Sequence, residues 1–278
     1  MPFVDGQRFG KIQVHKIDDN VEPDQDKKTH LSPAEKALLP KASEVRAERL
    51  RFDLVFARVD ETPKGKESDD STPERVCWIY ENKLVSTPQL LKGPAYAFDI
   101  DPAKGKGLFM TRKALIEADL MTGEMVEHSF KHWPVRNPPS GAAYMVDGQI
   151  LMHSGVVALG ARVGQGIELH HALEIRSLGL SLMEQRVLFV CHERTRVIGY
   201  DHGIFRELAT LDAWARAPWL VSPDRFRFYV DPFHNKELPA ASCGTFEVTG
   251  ALEAWEECFA SDRTEDYPEI AQTSLADA

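Results

Sequence analysis

Four side chains could hold a metal ion if the fold brought them together. Asp99 and Asp101 in AFDIDP share one face of a predicted strand, because side chains two residues apart point the same way. His153 and His192 each follow a predicted strand, and imidazoles and carboxylates are ordinary metal ligands. Such a site would suit metal-assisted hydrolysis. Two alternatives stay open: the histidines are ordinary polar packing, and IDP is only a strand end stopped by proline.

Other catalytic patterns are missing from the sequence, which contains no Gly-rich phosphate loop, no GxSxG elbow and no HExxH motif. His170 and His171 are adjacent, so on a strand they point to opposite faces and do not easily share one metal. The four cysteines have no CxxC or Cys/His spacing typical of structural zinc and are expected to be buried reduced thiols: Cys77, Cys191, Cys243 and Cys258. No catalytic residue, cofactor or metal ligand is therefore predicted.

Aromatic and acidic side chains point instead to a protein partner. Three tryptophans lie in or beside segments between predicted strands, where aromatic residues often anchor partners: Trp133, Trp214 and Trp219. DAWARAPW is predicted to form a short helical turn. Acidic residues of a polar loop and of the C-terminal segment complete the predicted partner-binding set: Asp69, Asp70, Asp262, Glu265 and Asp266. Ordinary packing is the alternative for the tryptophans.

The net charge of −10 is concentrated at one end of the chain. From Glu253 onward there are eight acidic residues and one arginine, which contribute −7, so the rest of the chain contributes −3. This balance argues against general nucleic-acid binding, which depends on Lys and Arg, and favours a basic protein partner. A solvated terminus that improves solubility is the other interpretation. No run approaches the ~18 apolar residues of a membrane span, and the start lacks the apolar core of a secretory signal, so a cytoplasmic protein is expected.

A repeat positions these residues. The hairpin predicted in IEADLMTGEMVEH turns at Gly123, and later turns at Gly166, Gly203 and Gly244 follow at intervals of 43, 37 and 41 residues. A second series of apolar positions keeps the same period, with spacings of 42, 37 and 39 residues: Leu108, Ile150, Val187 and Phe226. Short strands with a period near ~40 residues match the four-stranded blade of a β-propeller.

The stretch LIEADLMTGEMVEH resembles the quinoprotein-type propeller repeat, in which an alternating strand runs through an Asp and a Thr-Gly turn and closes on Trp. His128 stands at the closing position, and the other three units between Tyr96 and Gly250 lack the Thr-Gly pair. The resemblance implies degenerate propeller repeats. It implies no quinone chemistry, because a blade pattern does not define a cofactor site.

The chain ends complete the predicted architecture. Strands from Arg51 and Arg75 flank a polar loop and form a further blade, and GKIQVHKID is expected to close the ring against the last blade. Ser32-Pro33 opens a short helix that Pro40 ends, and TGALEAWEECFA has the apolar spacing of a second helix. The fold class is therefore an all-β propeller of five or six blades. We expect an N-terminal extension with the ring-closing strand over 1–50, the propeller over 51–250, and the C-terminal helix and acidic tail over 251–278.

Two functions remain. The first is a non-enzymatic binding protein, specifically an immunity protein that occludes a basic bacterial toxin, because the acidic, degenerate propeller is similar to such inhibitors. Electrostatic steering would accelerate that association. The alternative is a metal-dependent propeller hydrolase or lactonase that uses the aspartates and histidines described above.

Overall fold

Five antiparallel sheets make up the protein in the computed structural model. The structure describes residues 8–18, 31–41, 45–51, 54–60, 73–92, 98–111, 114–129, 141–154, 157–163, 167–175, 179–239, 242–260 and 266–274. None of the helices in these ranges is long and apolar enough to cross a membrane. The sheets are the blades of a five-bladed propeller, so the predicted fold class is confirmed with the lower of the two expected blade counts.

The strands follow one another along the chain, blade by blade. The chain opens with β1 (Arg8–Phe9), β2 (Ile12–Asp18) and helix α1 (Pro33–Leu38). Blade 1 contains β3 (Val45–Arg51), β4 (Leu54–Asp60), β5 (Pro73–Tyr80), β6 (Lys83–Ser86) and the short β7 (Leu91–Lys92). Blade 2 contains β8 (Phe98–Asp101), β9 (Lys106–Met110), β10 (Ala114–Asp119) and β11 (Met125–Ser129). Blade 3 contains β12 (Gly141–Tyr144), β13 (Ile150–His153), β14 (Val157–Val163) and β15 (Ile167–Glu174).

The second half continues the same pattern. Blade 4 contains β16 (Gly179–Met183), β17 (Val187–Cys191), β18 (Thr195–Asp201) and β19 (Ile204–Leu211). Blade 5 contains β20 (Ala215–Ser222), β21 (Arg225–Val230) and β22 (Gly244–Thr249). Helix α2 (Ala251–Phe259) and β23 (Thr273–Ser274) end the described chain. The first strands of neighbouring blades contact one another, as β8 contacts β12 and β20 contacts both β16 and β3.

Antiparallel pairing gives the ring two different faces. The links between blades and the turns between second and third strands lie on one face, which we call the link face. The turns from first to second and from third to fourth strands lie on the other, which we call the turn face. Each strand therefore runs from one face to the other, and a residue's position along its strand tells which face it is near.

The N-terminal strand closes the ring, as predicted. β2 pairs antiparallel with β22, from Gln13 opposite Thr249 to Asp18 opposite Thr245, and supplies the fourth strand that blade 5 lacks. Ile12 and Val14 on its inner face are fully buried in the core between blades 4 and 5. Blade 5 is thus built from both ends of the chain, which leaves five blades and no sixth in the described chain.

The interior consists of apolar layers between blades. The four positions of the second predicted series all lie in second strands, in β9, β13, β17 and β21, so this prediction is confirmed. All five residues of β17 are buried. The ring of Phe189 stacks on Phe226 of the next blade at 4.9 Å. Burial of side chains of this size contributes about 1.5–3 kcal/mol each, so the contacts between blades stabilise the ring.

The glycine series is equivalent only in part. Gly123 and Gly203 lie in turns between third and fourth strands, whereas Gly166 lies outside the described residues. Gly244 instead opens β22, so the fourth match is wrong. The equivalent position in blade 5 is Gly250, because its third strand is followed by α2 and its fourth strand comes from the N terminus.

The hairpin at Gly123 forms as predicted. Asp119 ends β10, and its Oδ1 accepts hydrogen bonds from the backbone N–H groups of Met121 and Thr122 at 2.9 and 2.7 Å. These bonds lower the pKa of the exposed Asp119 carboxyl. Gly123 adopts a left-handed φ of 78° and donates its N–H to the Asp119 carbonyl at 2.9 Å.

Two local predictions meet different outcomes. Ser32 caps α1 through a capping box, since the Glu35 N–H donates to the Ser32 hydroxyl at 3.2 Å and the Ser32 N–H donates to the Glu35 carboxylate at 2.8 Å. DAWARAPW does not form a helical turn, because residues from Ala215 onward are the innermost strand of blade 5 and bond to β21. Most of β3 lies before Arg51, so blade 1 begins within the segment 1–50 that was expected to hold the extension and the ring-closing strand.

The C-terminal helix lies on the turn face and the chain then runs along the outside of the ring. Trp255 of α2 donates its indole N–H to the Tyr200 carbonyl at 2.9 Å, and Arg186 lies 4.5 Å above the Trp255 ring. Residues 266–274, which we call the C-terminal strap, pass along β19 and then pair with β15 through β23. The strap thus covers the outer edges of blades 4 and 3, which would otherwise be open for pairing.

Candidate partner-binding surface

The predicted partner-binding residues are distributed over several parts of the chain. Five lie outside the described residues: Asp69, Asp70, Trp133, Asp262 and Glu265. Trp214 lies in the link between blades 4 and 5, on the link face. Trp219 lies within β20, opposite Arg227 of β21, and is partly buried. Asp266 is exposed and begins the C-terminal strap, so the structure does not bring these three together.

Trp214 is joined instead to the loop between β21 and β22. Its ring stacks on the His234 imidazole with centroids 3.7 Å apart and an interplanar angle of 12°. The backbone of Trp214 is clamped by Asn235, whose side-chain oxygen accepts from the Trp214 N–H at 2.8 Å and whose side-chain NH2 donates to the Trp214 carbonyl at 2.7 Å. The link and the loop therefore form one unit.

A buried carboxylate holds this loop in shape. Asp231 follows β21 and is only 8% exposed. Its Oδ1 accepts from the Phe233 N–H at 2.8 Å, and its Oδ2 lies 3.2 Å from Nδ1 of His234 and 3.6 Å from the Arg216 guanidinium. Charge-assisted contacts of this kind are stronger than neutral hydrogen bonds, so the loop is preorganised.

The loop displays an aromatic ring to solvent. Phe233 is 69% exposed, more than any other large apolar residue of the described chain. The edge of the His234 ring packs against it at 5.1 Å, and the Lys236 ammonium lies 5.1 Å from its centroid. Trp214, Phe233, His234 and Lys236 are hereafter called the aromatic loop surface.

A cavity opens beside this surface on the link face. It has a volume of about 410 Å³ and lies where blade 3 leads into blade 4, between Ile175 and the β17–β18 turn that carries His192 and Arg194. Ala215 donates its backbone N–H to the His192 carbonyl at 3.0 Å, so the cavity wall and the Trp214 link are connected. Arg194 is 73% exposed and lies 3.3 Å from Asp212.

The four candidate metal ligands do not form one site. His153 ends β13 and His192 follows β17, so both lie toward the link face. Asp101 ends β8 at the turn face, and its carboxylate is 3.1 Å from the Lys104 ammonium. Aspartates and histidines are therefore at opposite ends of their strands. Within the described chain, no group of three or more His, Cys, Asp or Glu side chains could hold a metal ion.

His153 is partly buried, whereas the four cysteines are core residues. Burial lowers the pKa of His153 from 6.5 to about 4, which keeps its imidazole neutral at physiological pH. Cys77, Cys191, Cys243 and Cys258 are buried, as predicted, and burial raises the pKa of the Cys77 and Cys258 thiols to about 11. The side chains of His170 and His171 in β15 lie outside the described set.

Sequence reasoning missed Phe233, His234 and Lys236. They follow Asp231-Pro232 directly after a strand, which is a turn signal, but nothing in the residue types distinguishes an exposed phenylalanine from a buried one. The exposure depends on Asn235 and Asp231, whose hydrogen bonds hold the loop against the blade 4–5 link rather than folding Phe233 inward.

Several solved structures are similar to this chain at low sequence identity. No protein-family model matches the chain, and no curated protein matches it. The WD40 β-propeller domain of Doa1 is similar with 12% identity and a TM-score of 0.43 over 69% of this chain and 64% of that domain. The β-propeller domain of Myceliophteria thermophila Cps50 (Swd1) is 10% identical, with a TM-score of 0.45 over 73% of this chain and 70% of that one.

A third similar structure is YCF48 bound to D1 peptide, which is 10% identical with a TM-score of 0.44 over 79% of this chain and 66% of that one. The similarity to the Doa1 domain described above covers less than two thirds of that domain. At these identities and TM-scores the fold assignment rests on the five sheets described above. A shared fold does not define a function, which depends on the surface of this chain.

Proposed function

We propose that the protein is a non-enzymatic binding module whose aromatic loop surface docks a protein partner. The observation that carries this proposal is Phe233, which is 69% exposed on a loop fixed by Asp231 and Asn235. An exposed aromatic ring gains free energy only when another molecule covers it.

The preorganised loop makes such covering effective. Binding residues usually lose conformational freedom at an interface, at a cost of about 0.5–1.5 kcal/mol for each ordered side chain. The stacking of Trp214 on His234 and the hydrogen bonds of Asn235 already fix most of this surface in the free protein. Aromatic residues in such rigid settings are typical hot spots of interfaces.

More narrowly, we propose that the partner is a basic bacterial toxin that this protein neutralises as an immunity protein. The support for this is compositional, namely a net charge of −10 with most of the acidity in the last part of the chain. Long-range attraction would accelerate encounter, and contact at the link face would then occlude the toxin. The contact region itself carries both signs of charge, because Lys236 and Arg194 lie there together with Asp212 and Glu193, so acidic steering would act from outside the contact.

The aromatic loop surface can be tested by changing one side chain. The partner is first isolated by affinity purification from native cells and then titrated against purified variants. Phe233→Ala should weaken binding by at least tenfold, since hot-spot truncations cost about 2 kcal/mol or more. Val126→Ala is the matched control, because Val126 is also apolar and 57% exposed but lies in β11 of blade 2.

Equal affinity for the wild type and Phe233→Ala would refute the docking surface. A partner that binds through this surface but is not basic would refute only the toxin assignment. Its isoelectric point and the salt dependence of its association rate separate the two statements.

A further inference from the structure

A second cavity opens on the opposite face of the ring and plays no part in the proposed partner binding. It has a volume of about 380 Å³ and lies at the turn face, where strand β8 of blade 2, a turn of blade 3 and a turn of blade 4 meet. Val146 and Leu182 form its apolar floor. This volume lies at the lower end of the range for small-ligand pockets, about 300–1,000 Å³.

The blade 2 wall is anionic. Asp99 and Asp101 both line the cavity, and Asp101 is only 3% exposed. The Asp99 Oδ2 accepts the backbone N–H of Tyr144 at 2.8 Å, and the Asp101 Oδ1 accepts the Lys104 N–H at 3.3 Å. These bonds fix the orientation of both carboxylates, while the Lys104 ammonium lies 3.1 Å from Asp101 at the rim.

The blade 4 wall supplies a fixed cation. Arg186 lines the cavity, and its guanidinium lies 4.5 Å above the Trp255 ring. This contact holds the guanidinium in place, and a guanidinium carries N–H donors in a planar fork that matches the geometry of a carboxylate. The turn that carries Arg186 is held by two residues in the left-handed region, Glu184 with φ 49° and Gln185 with φ 59°.

Two backbone hydrogen bonds lock this turn against its neighbours. Val146 of blade 3 donates its N–H to the Gln185 carbonyl at 3.0 Å, and Tyr200 donates its N–H to the Arg186 carbonyl at 2.7 Å. The same pair of φ values occurs at Glu81 and Asn82 in the β5–β6 turn, so the conformation is that of an ordinary tight hairpin turn. The cavity therefore has the Asp99 and Asp101 carboxylates on the blade 2 side and the Arg186 guanidinium, next to Glu184, on the blade 4 side.

We propose that this cavity binds a small zwitterionic ligand of the amino-acid class. The ligand's ammonium group lies at the Asp99 and Asp101 wall, and its carboxylate lies at the Arg186 guanidinium. Charge-assisted hydrogen bonds at both ends fix its orientation, and its aliphatic part covers the apolar floor. This site is independent of the aromatic loop surface, which lies on the link face.

Isothermal titration calorimetry of the full chain tests the proposal with three kinds of probe. L-Leucine and L-arginine carry both charges, agmatine carries only cationic groups, and glutarate carries only carboxylates. At least one of the two amino acids should bind with a dissociation constant below about 1 mM, tenfold or more tighter than agmatine and glutarate. No heat from either amino acid, or equal binding of agmatine, would overturn the proposal.

Variants locate the bound ligand. Asp99→Asn and Arg186→Gln should each weaken amino-acid binding at least tenfold, and Arg186→Lys should weaken it less than Arg186→Gln. Arg194→Gln on the link face is the matched arginine control and should leave binding unchanged. Thermal unfolding of each variant verifies that it is folded. If Arg186→Gln does not fold, an unchanged affinity of Asp99→Asn for the amino acid is sufficient to overturn the site. Phe233→Ala should not affect this binding, so failure here is distinguishable from failure of the proposed partner surface.

Discussion

At the residue scale, close contacts between blades make single positions intolerant of change. A Cβ on Gly123 would lie 2.3 Å from the backbone oxygen of Ser86 in the neighbouring blade, and the φ of this glycine is 78°. Gly203 occupies the equivalent turn of blade 4 with a φ of 89° but has nothing within 4 Å of the same point. Alanine substitutions at these two glycines therefore separate the free-energy cost of the left-handed backbone from the cost of the steric clash with Ser86.

Gly123→Ala is therefore expected to destabilise the protein more than Gly203→Ala. Both variants place alanine in the left-handed region, at a cost of about 1–2 kcal/mol. Only Gly123→Ala also forces blades 1 and 2 apart, because the clashing atom belongs to the backbone and cannot rotate away. Urea unfolding measures both, and equal losses would show that the close approach is relaxed without cost.

His153 is expected to make stability depend on pH in a defined window. Its pKa is about 4 in the folded protein and 6.5 as a free side chain, so between these values the unfolded chain binds more protons. Stability is unaffected above the upper value and falls by up to about 1.4 kcal/mol per pH unit as the pH drops toward the lower one.

Denaturant titrations from pH 7 to pH 4 measure this slope. Other groups also titrate there, so the informative quantity is the difference between the wild type and His153→Gln, which should lose part of the slope. His15→Gln changes an exposed histidine and is the control. Identical slopes for the wild type and His153→Gln would contradict the buried neutral imidazole.

At the element scale, the C-terminal strap changes the interpretation of the acidic tail. Four hydrogen bonds hold it to the outer side of blade 4. Arg206 donates to the Tyr267 carbonyl at 2.8 Å, and the Glu207 N–H donates to the Pro268 carbonyl at 3.0 Å. The Ile270 N–H donates to the Phe205 carbonyl at 2.8 Å, and the Gln272 side chain donates to the Gly203 carbonyl at 2.7 Å. Ile270 also packs against the core cluster that contains Phe205. Part of the predicted acidic tail is thus a structural element of the fold and not only a solvated terminus.

Removal of residues 266–278 is expected to destabilise the fold by about 3 kcal/mol, since each lost hydrogen bond contributes about 0.5–1.5 kcal/mol. It should also promote association of chains, because the edges of β19 and β15 become available for pairing. Differential scanning calorimetry and light scattering measure the two effects.

Glu269→Ala is the control for charge, because it removes only the ion pair between Glu269 and Arg206. The Glu269 side chain in this pair is 55% exposed. Such pairs contribute about 0–1 kcal/mol. An unchanged melting temperature after truncation would show that the strap is dispensable. Tests of the tail in partner steering therefore need charge substitutions, such as Asp266→Asn, rather than deletion.

At the scale of the whole molecule, the ring depends on one strand that comes from the far end of the sequence. Val14 of β2 is fully buried, whereas Ile17 of the same strand is 43% exposed. Val14→Asp should abolish cooperative unfolding, because an unpaired buried carboxylate costs several kcal/mol and opens blade 5.

Ile17→Asp is the matched control and should alter the free energy of unfolding by no more than about 0.5 kcal/mol. Circular dichroism during thermal unfolding distinguishes the outcomes. A normal transition in Val14→Asp would mean that blade 5 is stable with three strands and that the closing strand is not required.

The sequence alone determined the parts of this protein that depend on local pattern. Alternating strands, the Gly123 hairpin, the capped α1 and the amphipathic α2 follow from side-chain periodicity and turn chemistry, which act over a few residues. The period near 40 residues identified the blade, because each blade repeats one four-stranded unit. The closing role of β2 was also predictable, since an unpaired first strand needs a partner in the last blade.

Only the tertiary structure decided how distant segments meet. The two chain ends share blade 5, which sets the blade count at five, and DAWARAPW became a strand because β21 offered it backbone partners. Asp101 and His153 were separated because their strands run in opposite directions between the faces. The exposure of Phe233 and the two-walled cavity at Arg186 arise from contacts between blades, and no local pattern in the chain encodes which residues such contacts leave uncovered.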